Sequence, residues 1–214
     1  MAAADDRTAS VSGNPPANGR QGYHPAAVCI CAIWSDNAGM QPLADYAAIL
    51  PAPFGALGVH IVGNRLTGLE FLPPGTQPAA SSHPLVKRVA QELEAYYTDP
   101  GHAFDLPLQP LGTPFRQRVW NALLVIPAGQ TRSYGDIARQ LPSAPRAVGQ
   151  AVGDNPLPIV IPCHRVIAAD GGLGGFMHSR TGYSQDIKRW LLRHERALPP
   201  SPASGRGAGG EGSR

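Results

Sequence analysis

Apolar runs separated by turn residues predict β-strands in the first half of the chain. Such runs lie at Ala26–Trp34, Leu57–Val62 and Leu66–Leu72. Gly63-Asn64 separates the last two runs and favours a tight hairpin turn. One helix is predicted next, because apolar residues recur at helical spacing after His83-Pro84: Leu85, Val89, Leu93 and Tyr96 or Tyr97.

Helix-capping residues divide the second half into short helices. Thr113-Pro114 combines an N-cap residue with proline at the first helical position. A capping pattern from Ser133 to Asp136 predicts a short helix through Ile137 to Leu141, and a further helix is predicted from Pro145 to about Gly153. The last helix is expected from Ser184 to about Arg196. Two short helices joined by a tight turn resemble a helix-turn-helix, although most such pairs do not bind DNA.

The length of 214 residues and the apolar content of 43% are typical of a folded globular protein of one or two domains. We expect an α/β scaffold domain at residues 23–108, a mainly helical domain at residues 109–198 and a junction near Leu106 to Leu111. The segments 1–22 and 199–214 are rich in Ala, Gly, Ser and Pro, and we expect both to be disordered.

Charge differs between the two halves. Residues 1–109 carry five Lys and Arg against nine Asp and Glu, whereas residues 110–196 carry eleven against five. A basic second half suits contact with a phosphate backbone, but an ordinary Arg-rich surface explains it equally well.

There is no apolar stretch of membrane-spanning length and no signal-peptide pattern, so we expect a cytoplasmic protein with no membrane contact. Three cysteines are too few for a disulfide framework, which favours reduced thiols.

The strongest chemical signal is the segment Ile161–Ile167, in which Cys163, His164 and Arg165 are consecutive within an apolar run. A thiolate is the reactive form of cysteine, and a neighbouring base or cation promotes it. Taken alone, a Cys-His pair of this kind is more often part of a packed core.

The surrounding sequence changes this interpretation, because it resembles the O6-alkylguanine-DNA alkyltransferase family. The resemblance covers about 84 residues, and its central motif is specific. The matching segments are Gly112–Phe115, Arg146–Gly149, Asn155–Ile159, Pro162–Val166 and Trp190–Glu195. The resemblance implies a ribonuclease-H-like α/β N-terminal domain and a C-terminal domain with a winged helix-turn-helix-like element.

The resemblance also implies an activity, namely repair of O6-alkylguanine, and of O4-alkylthymine, by transfer of the alkyl group to the protein itself. Cys163 would accept the alkyl group in an in-line displacement and would not be regenerated. His164 would take the thiol proton through a bridging water, and Glu195 would orient that imidazole. Asn155 would tie the helix pair to the cysteine loop, and Tyr134 would offer a proton to the departing guanine.

Because the lesion lies inside a stacked duplex, the family's chemistry requires that the nucleotide rotates out of the helix. By resemblance, Arg146 would fill the gap, and small residues on the same helix would allow close approach to the minor groove: Ala147, Gly149 and Ala151. The pocket would be lined by Pro158, Phe176 and the carbonyls of Cys163 and Val166. The loop after Gly175 departs from the family pattern by about five extra residues, and either Phe176 or Tyr183 could be its aromatic residue.

Other possibilities remain open from the sequence. A cysteine hydrolase could use Cys163 and His164 on an acyl substrate, but it would need an oxyanion hole and would turn over. A non-reacting alkylguanine sensor is disfavoured because such relatives replace the cysteine.

No cofactor is expected, and Cys29, Cys31, His24 and His83 do not match a known zinc spacing. We expect a monomer that binds double-stranded DNA containing alkylated guanine.

Overall fold

The structure, a computed structural model, describes residues 46–198. The predicted strand at Ala26–Trp34 and the predicted disordered segments at 1–22 and 199–214 lie outside the described residues. Within the described range, no helix has both the length and the apolar character needed to cross a membrane.

A three-stranded antiparallel sheet opens the described part of the chain. It consists of β1 (Ala48–Ala52), β2 (Gly55–Val62) and β3 (Arg65–Leu72), in that spatial order. The second and third strands and their hairpin are confirmed, and Gly63 adopts the left-handed φ of 59° that this turn requires. The first strand was not predicted. It contains Pro51, which weakens the strand pattern but is tolerated because β1 lies at an edge of the sheet.

The predicted helix after the sheet is confirmed as α1 (Pro84–Thr98). His83 caps it, since its Nδ1 accepts a hydrogen bond from the amide of Leu85 at 3.1 Å. The buried stripe of α1 shares one apolar core with the sheet and with the helices that follow. The described chain therefore has the expected α/β character.

Four further helices follow α1 within residues 46–198. They are α2 (Pro114–Leu124), α3 (Tyr134–Gln140), α4 (Pro145–Gly153) and α5 (Gly182–His194). Both predicted caps are confirmed: Thr113 accepts from the amide of Arg116, and Ser133 and Asp136 form a reciprocal capping box. Two short parallel strands, β4 (Arg132–Ser133) and β5 (Val166–Ile167), pair beside the start of α3.

Backbone contacts join the sheet to the second half of the chain. The expected junction near Leu106 to Leu111 runs beside β3, because Leu66 exchanges backbone hydrogen bonds with Pro107 and Gln109 at 2.9 Å each. The amide of Leu69 donates to the carbonyl of Pro156 at 2.8 Å, just upstream of the cysteine segment. The sheet thus supports the loop that carries the candidate chemistry, while the division into domains at residue 108 stays a prediction.

Candidate active site

The loop between α4 and Cys163 is built around the buried side chain of Asn155. Its Nδ2 donates to the carbonyl of Ile161 at 2.8 Å, and its Oδ1 accepts from the amide of Leu157 at 3.0 Å. Ile159, between them, has a left-handed φ of 74°, which is costly for a β-branched residue. The two hydrogen bonds of Asn155 hold the loop in this strained form and fix the position of the residues that follow.

Cys163 begins a single 3₁₀ turn, Cys163–Arg165, that leads into β5. The thiol is buried, with 1% of the residue exposed, and His164 and Glu195 are buried beside it at 0% and 3%. His164 Nε2 lies 2.8 Å from Glu195 Oε1. His164 Nδ1 is also buried and has no hydrogen-bond partner among the described residues. If Nε2 carries the proton toward the carboxylate, Nδ1 presents a lone pair and can accept a proton.

Glu195 forms the C-cap of α5 and accepts hydrogen bonds from three side chains. Besides His164, Arg165 contacts both carboxylate oxygens, at 2.9 and 2.7 Å, and the Tyr96 hydroxyl donates to Oε1 at 2.9 Å. Burial alone would raise the pKa of Glu195, but hydrogen bonds from His164 and Arg165 outweigh it and lower the pKa to about 2. Glu195 is therefore a fixed anion at neutral pH.

Burial is the main cause of the pKa shifts of Cys163 and His164. Burial raises the pKa of Cys163 to about 11, although a hydrogen bond from Asn155 and the charge of Lys188 oppose the shift. Burial lowers the pKa of His164 despite its contact with Glu195. The resting state at neutral pH is therefore a thiol beside a neutral imidazole, an arrangement in which the imidazole can act as a base.

Lys188 on α5 is fully buried and was not anticipated from the sequence. Its Nζ donates to the carbonyls of Val166, Leu173 and Gly175 at 2.7, 2.5 and 3.0 Å. Burial lowers the pKa of Lys188 to about 8, and the negative charge that Cys163 can carry opposes this shift. The ammonium group thus fixes the segment after β5 and lies near the sulfur.

Tyr134, the first residue of α3, lies against the same segment. Its hydroxyl donates to the carbonyl of Gly175 at 3.0 Å. Gly174 has a φ of 65°, and a Cβ at this position would lie 2.9 Å from the Tyr134 ring, so the close approach requires glycine. Burial raises the pKa of Tyr134 to about 12, with the charge of Cys163 contributing, so its hydroxyl keeps its proton at neutral pH.

The two aromatic candidates in the long loop have different environments. Phe176 is 3% exposed and packs on Phe71, with ring centroids 5.7 Å apart, and beneath Lys188. The hydroxyl of Tyr183 lies 2.7 and 2.6 Å from the carbonyls of Phe54 and Leu72, so this residue anchors α5 to the sheet. Phe176 is therefore the aromatic residue next to Gly175 and Lys188, and in the free chain it belongs to the core.

The expected DNA-contacting residues lie on and around α4. Arg146 is exposed near the start of the helix, Ala147 and Gly149 are half-buried, and Ala151 is buried. A Cβ added at Gly149 would lie 3.8 Å from the Tyr134 ring. The carbonyl of Ala151 accepts from the Trp120 indole at 2.8 Å, so Ala151 serves the packing of α4 on α2. The remaining pocket residue, Pro158, is buried in the Asn155 loop.

No group of three or more potential metal ligands occurs among residues 46–198. His83, one of the histidines considered for zinc, is the N-cap of α1, and its Nε2 lies 3.3 Å from the carbonyl of Gly63. The other three residues considered lie outside the described range: His24, Cys29 and Cys31.

Three residues of this cluster were not expected there from the sequence: Tyr96, Arg165 and Lys188. Arg165 was noted as a neighbour of His164 but received no role. The signal that could have assigned it a role was the expected carboxylate of Glu195 beside His164. A buried carboxylate requires a cationic or hydrogen-bonding partner, and the adjacent Arg165 can supply one. Lys188 and Tyr96 gave no comparable signal, since a lysine and a tyrosine on amphipathic helices usually lie at the surface or in the core.

The chain is similar to proteins of one known family. Residues 114–197 match the family described as 6-O-methylguanine DNA methyltransferase, DNA binding domain. The methylated-DNA–protein-cysteine methyltransferase of Mycobacterium bovis is 40% identical over 158 residues, covering 71% of this chain and 93% of the relative. The protein of the same name from Mycolicibacterium paratuberculosis is 48% identical over 156 residues, covering 70% and 92%.

A solved structure leads to the same family. The crystal structure of Mycobacterium tuberculosis OGT in complex with DNA superposes with a TM-score of 0.59 at 40% identity, covering 72% of this chain and 94% of that one. The buried Cys163, His164 and Glu195 lie in the part of the chain that the family profile matches. The chain therefore belongs to the O6-alkylguanine-DNA alkyltransferase, or methylated-DNA–protein-cysteine methyltransferase, family.

Proposed function

We propose that this chain repairs DNA by transferring the alkyl group of O6-alkylguanine to its own Cys163. The observation that carries the proposal is the hydrogen-bonded connection of His164 to Glu195, which leaves His164 Nδ1 without a partner in the buried site that holds the thiol. Relatives that share most of their length with this chain are named for the same reaction. The closely related structure in complex with DNA supports DNA as the partner.

The proposed reaction is an in-line displacement at the alkyl carbon. A bond forms between Cys163 Sγ and this carbon as the bond from carbon to guanine O6 breaks, and the bonding pair leaves with the guanine. The thiol proton passes to His164 through a water molecule, and Tyr134 offers a proton to the leaving base. The product is a thioether at Cys163, and in this proposal the thiol is not regenerated, so each chain reacts once.

Access to the buried sulfur requires that the target nucleotide leaves the duplex and enters beside Tyr134. In this proposal, α3 and α4 form the helix-turn-helix, and Arg146 enters the base stack while Ala147 and Gly149 face the minor groove. Ala151 was expected to do the same, but it is buried against α2 and acts in packing. The hydrogen bond from Tyr134 to the Gly175 carbonyl breaks as the base enters.

The proposed pocket binds the flipped base through backbone groups. The carbonyls of Cys163 and Val166 accept from the exocyclic amine of guanine, and Pro158 and Phe176 line the walls. Lys188 already donates to the Val166 carbonyl, so this oxygen would accept two hydrogen bonds in the complex. O4-alkylthymine, which lacks that amine, would use fewer of these contacts and would react more slowly.

Mass spectrometry after exposure to damaged DNA tests the proposal. Wild type mixed with a duplex containing one O6-methylguanine should gain one methyl group, located on the peptide that contains Cys163. Cys163→Ala should bind the same duplex but gain no methyl group. A wild-type chain that binds the duplex and stays unmodified would be a sensor, and catalytic turnover would favour a hydrolase.

The role proposed for Arg146 has its own test. Arg146→Ala should slow methyl transfer from a duplex by about tenfold or more, because unstacking a base costs a few kcal/mol that the inserted side chain offsets. The same variant should react normally with free O6-benzylguanine, which needs no flipping. Wild-type rates on the duplex would show that Arg146 has no part in base extrusion.

A further inference from the structure

The segment between Gly175 and α5, which is about five residues longer than the family pattern, folds into a defined turn. Phe176 and Ser179 exchange backbone hydrogen bonds at 2.8 and 2.9 Å. Between them, Met177 and His178 both have left-handed backbone conformations, with φ of 47° and 61°. This is the arrangement of a two-residue hairpin turn, but neither residue is of the type that favours it. Contacts with the rest of the protein must therefore stabilise the turn.

Such contacts come from the end of α4 and from α5. His178 Nε2 lies 2.8 Å from Asp154 Oδ1, and the His178 ring packs so closely on Gly153 that a Cβ there would lie 2.7 Å from it. On the other side, Gln185 donates to the carbonyls of Gly174 and Ser179 at 3.2 and 3.0 Å. The turn is thus fixed between the proposed DNA-contacting helix and the helix that carries Lys188.

The residue that follows this turn is Arg180, which is exposed. Its neighbour Ser179 contacts Gly175, whose carbonyl accepts the Tyr134 hydroxyl: a Cβ at Gly175 would lie 3.6 Å from the Ser179 carbonyl oxygen. The guanidinium is close enough to Tyr134 to oppose the rise in the pKa of that hydroxyl caused by burial. The charge therefore lies near the place where a flipped nucleotide would enter.

Arg180 has no ion-pair partner within residues 46–198, in contrast to two other exposed arginines of this region, Arg116 and Arg189. Arg116 pairs with Asp154 at 2.5 Å, and Arg189 pairs with Asp186 at 2.9 Å. A guanidinium without a carboxylate partner can contact a phosphate in a two-pronged geometry without losing an existing ion pair.

We propose that Arg180 binds a phosphodiester group next to the alkylated nucleotide and helps to hold that nucleotide outside the duplex. The inference rests on the proposed function and adds a contact from the long loop, whose tip is fixed by His178 and Asp154. A nucleotide that rotates out of the stack brings its flanking phosphates toward the protein surface. A cation beside the entrance stabilises that position, and its contact with one phosphate releases one counterion on binding.

The test compares Arg180→Ala and Arg180→Lys with the matched control Arg189→Ala. Arg180→Ala should lower the rate of single-turnover methyl transfer from a duplex by about tenfold and reduce the slope of log Kd against log salt by about 1. Arg180→Lys should restore part of the loss, because it keeps the charge without the two-pronged geometry. The control variant should stay within about twofold of wild type, and all variants should react with free O6-benzylguanine at the wild-type rate.

A neutral methylphosphonate placed on either side of the lesion identifies the phosphate. At one position, the substitution should slow wild type to the level of Arg180→Ala and should not slow Arg180→Ala further. The inference is overturned if Arg180→Ala keeps the wild-type duplex rate and salt slope. It is also overturned if the free-base reaction slows equally, since Arg180 would then act on the chemistry through Tyr134. A wild-type chain that reacts with neither substrate would refute the proposed function itself, and this inference with it.

Discussion

At the scale of single residues, the carboxylate of Glu195 determines which nitrogen of the His164 ring carries the proton. It accepts hydrogen bonds from His164, Arg165 and Tyr96, and these donors keep it ionised although it is buried. The contact with His164 Nε2 directs the proton of the neutral ring toward Glu195 and leaves Nδ1 as the basic atom. The proposed reaction needs such a base, because burial raises the pKa of Cys163 to about 11 and keeps the thiol protonated at rest.

Glu195 should make stability depend on acid pH. Its pKa falls from 4.5 to about 2 on folding, so its contribution to the free energy of unfolding is complete above about pH 4.5 and is lost as pH falls toward 2. By linkage, the loss is on the order of 3 kcal/mol. The difference in stability between wild type and Glu195→Gln should therefore shrink over this range in urea unfolding curves.

The matched control for this measurement is Asp186→Asn, since Asp186 forms an exposed pair with Arg189 and contributes little. Its unfolding free energy should follow wild type across the same pH range. If Glu195→Gln also ran parallel to wild type from pH 5 to 2, the proposed coupling of Glu195 to His164 and Arg165 would be wrong.

At the scale of elements, α5 holds the segment that follows the cysteine. Lys188 is the link, because its ammonium group donates to three carbonyls of residues 166–175. A buried ammonium with all three protons used is costly to remove, since the carbonyls then lose their partner. The same charge lies near Cys163 and favours its thiolate form.

Lys188→Met should therefore affect both stability and the thiol. We expect the free energy of unfolding to fall by about 2–3 kcal/mol, because buried carbonyls are left unsatisfied. We also expect Cys163 to react more slowly at pH 7 with a small electrophile such as iodoacetamide, because the charge that Lys188 carries below about pH 8 favours the thiolate. If Lys188 had only a structural role, its replacement would change the free energy of unfolding but not the reactivity of Cys163. Arg189→Met, on the exposed side of α5, should change neither.

The elements that were predicted from the sequence are those specified locally. Thr113 before Pro114 and the capping box of Ser133 and Asp136 act over three residues, so their helices begin where expected. β1 was not predicted, because Pro51 weakens its local strand pattern and the strand forms only by pairing with β2. The role of Lys188 is equally inaccessible, because its carbonyl partners lie 13 to 22 residues away and form a site only when the chain is folded.

At the scale of the whole molecule, the first half was expected to be a scaffold, and it also contributes to the site. The Tyr96 hydroxyl on α1 reaches Glu195 across 99 residues of sequence, and Tyr183 ties the start of α5 to the sheet. The cysteine motif itself was identified by resemblance. The geometry that surrounds it depends on α1 and the sheet, which carry no recognisable motif.

Tyr96→Phe tests this long-range contact. Removing the hydroxyl deletes one hydrogen bond to an ionised carboxylate, so the free energy of unfolding should fall by about 1.5–3 kcal/mol and the rate of methyl transfer should also fall. The neighbouring Tyr97 offers a matched control, because its hydroxyl is buried with no hydrogen-bond partner among the described residues. Tyr97→Phe should be neutral or stabilising. Equal effects of the two substitutions would show that the bond to Glu195 is unimportant.

The most direct test of the account is a titration with an excess of duplex containing O6-methylguanine. The number of lesions repaired should level off at one per protein chain, and peptide mapping at the plateau should find S-methylcysteine at position 163 in every molecule. Repair that continues beyond one lesion per chain, with Cys163 recovered unmodified, would contradict the account.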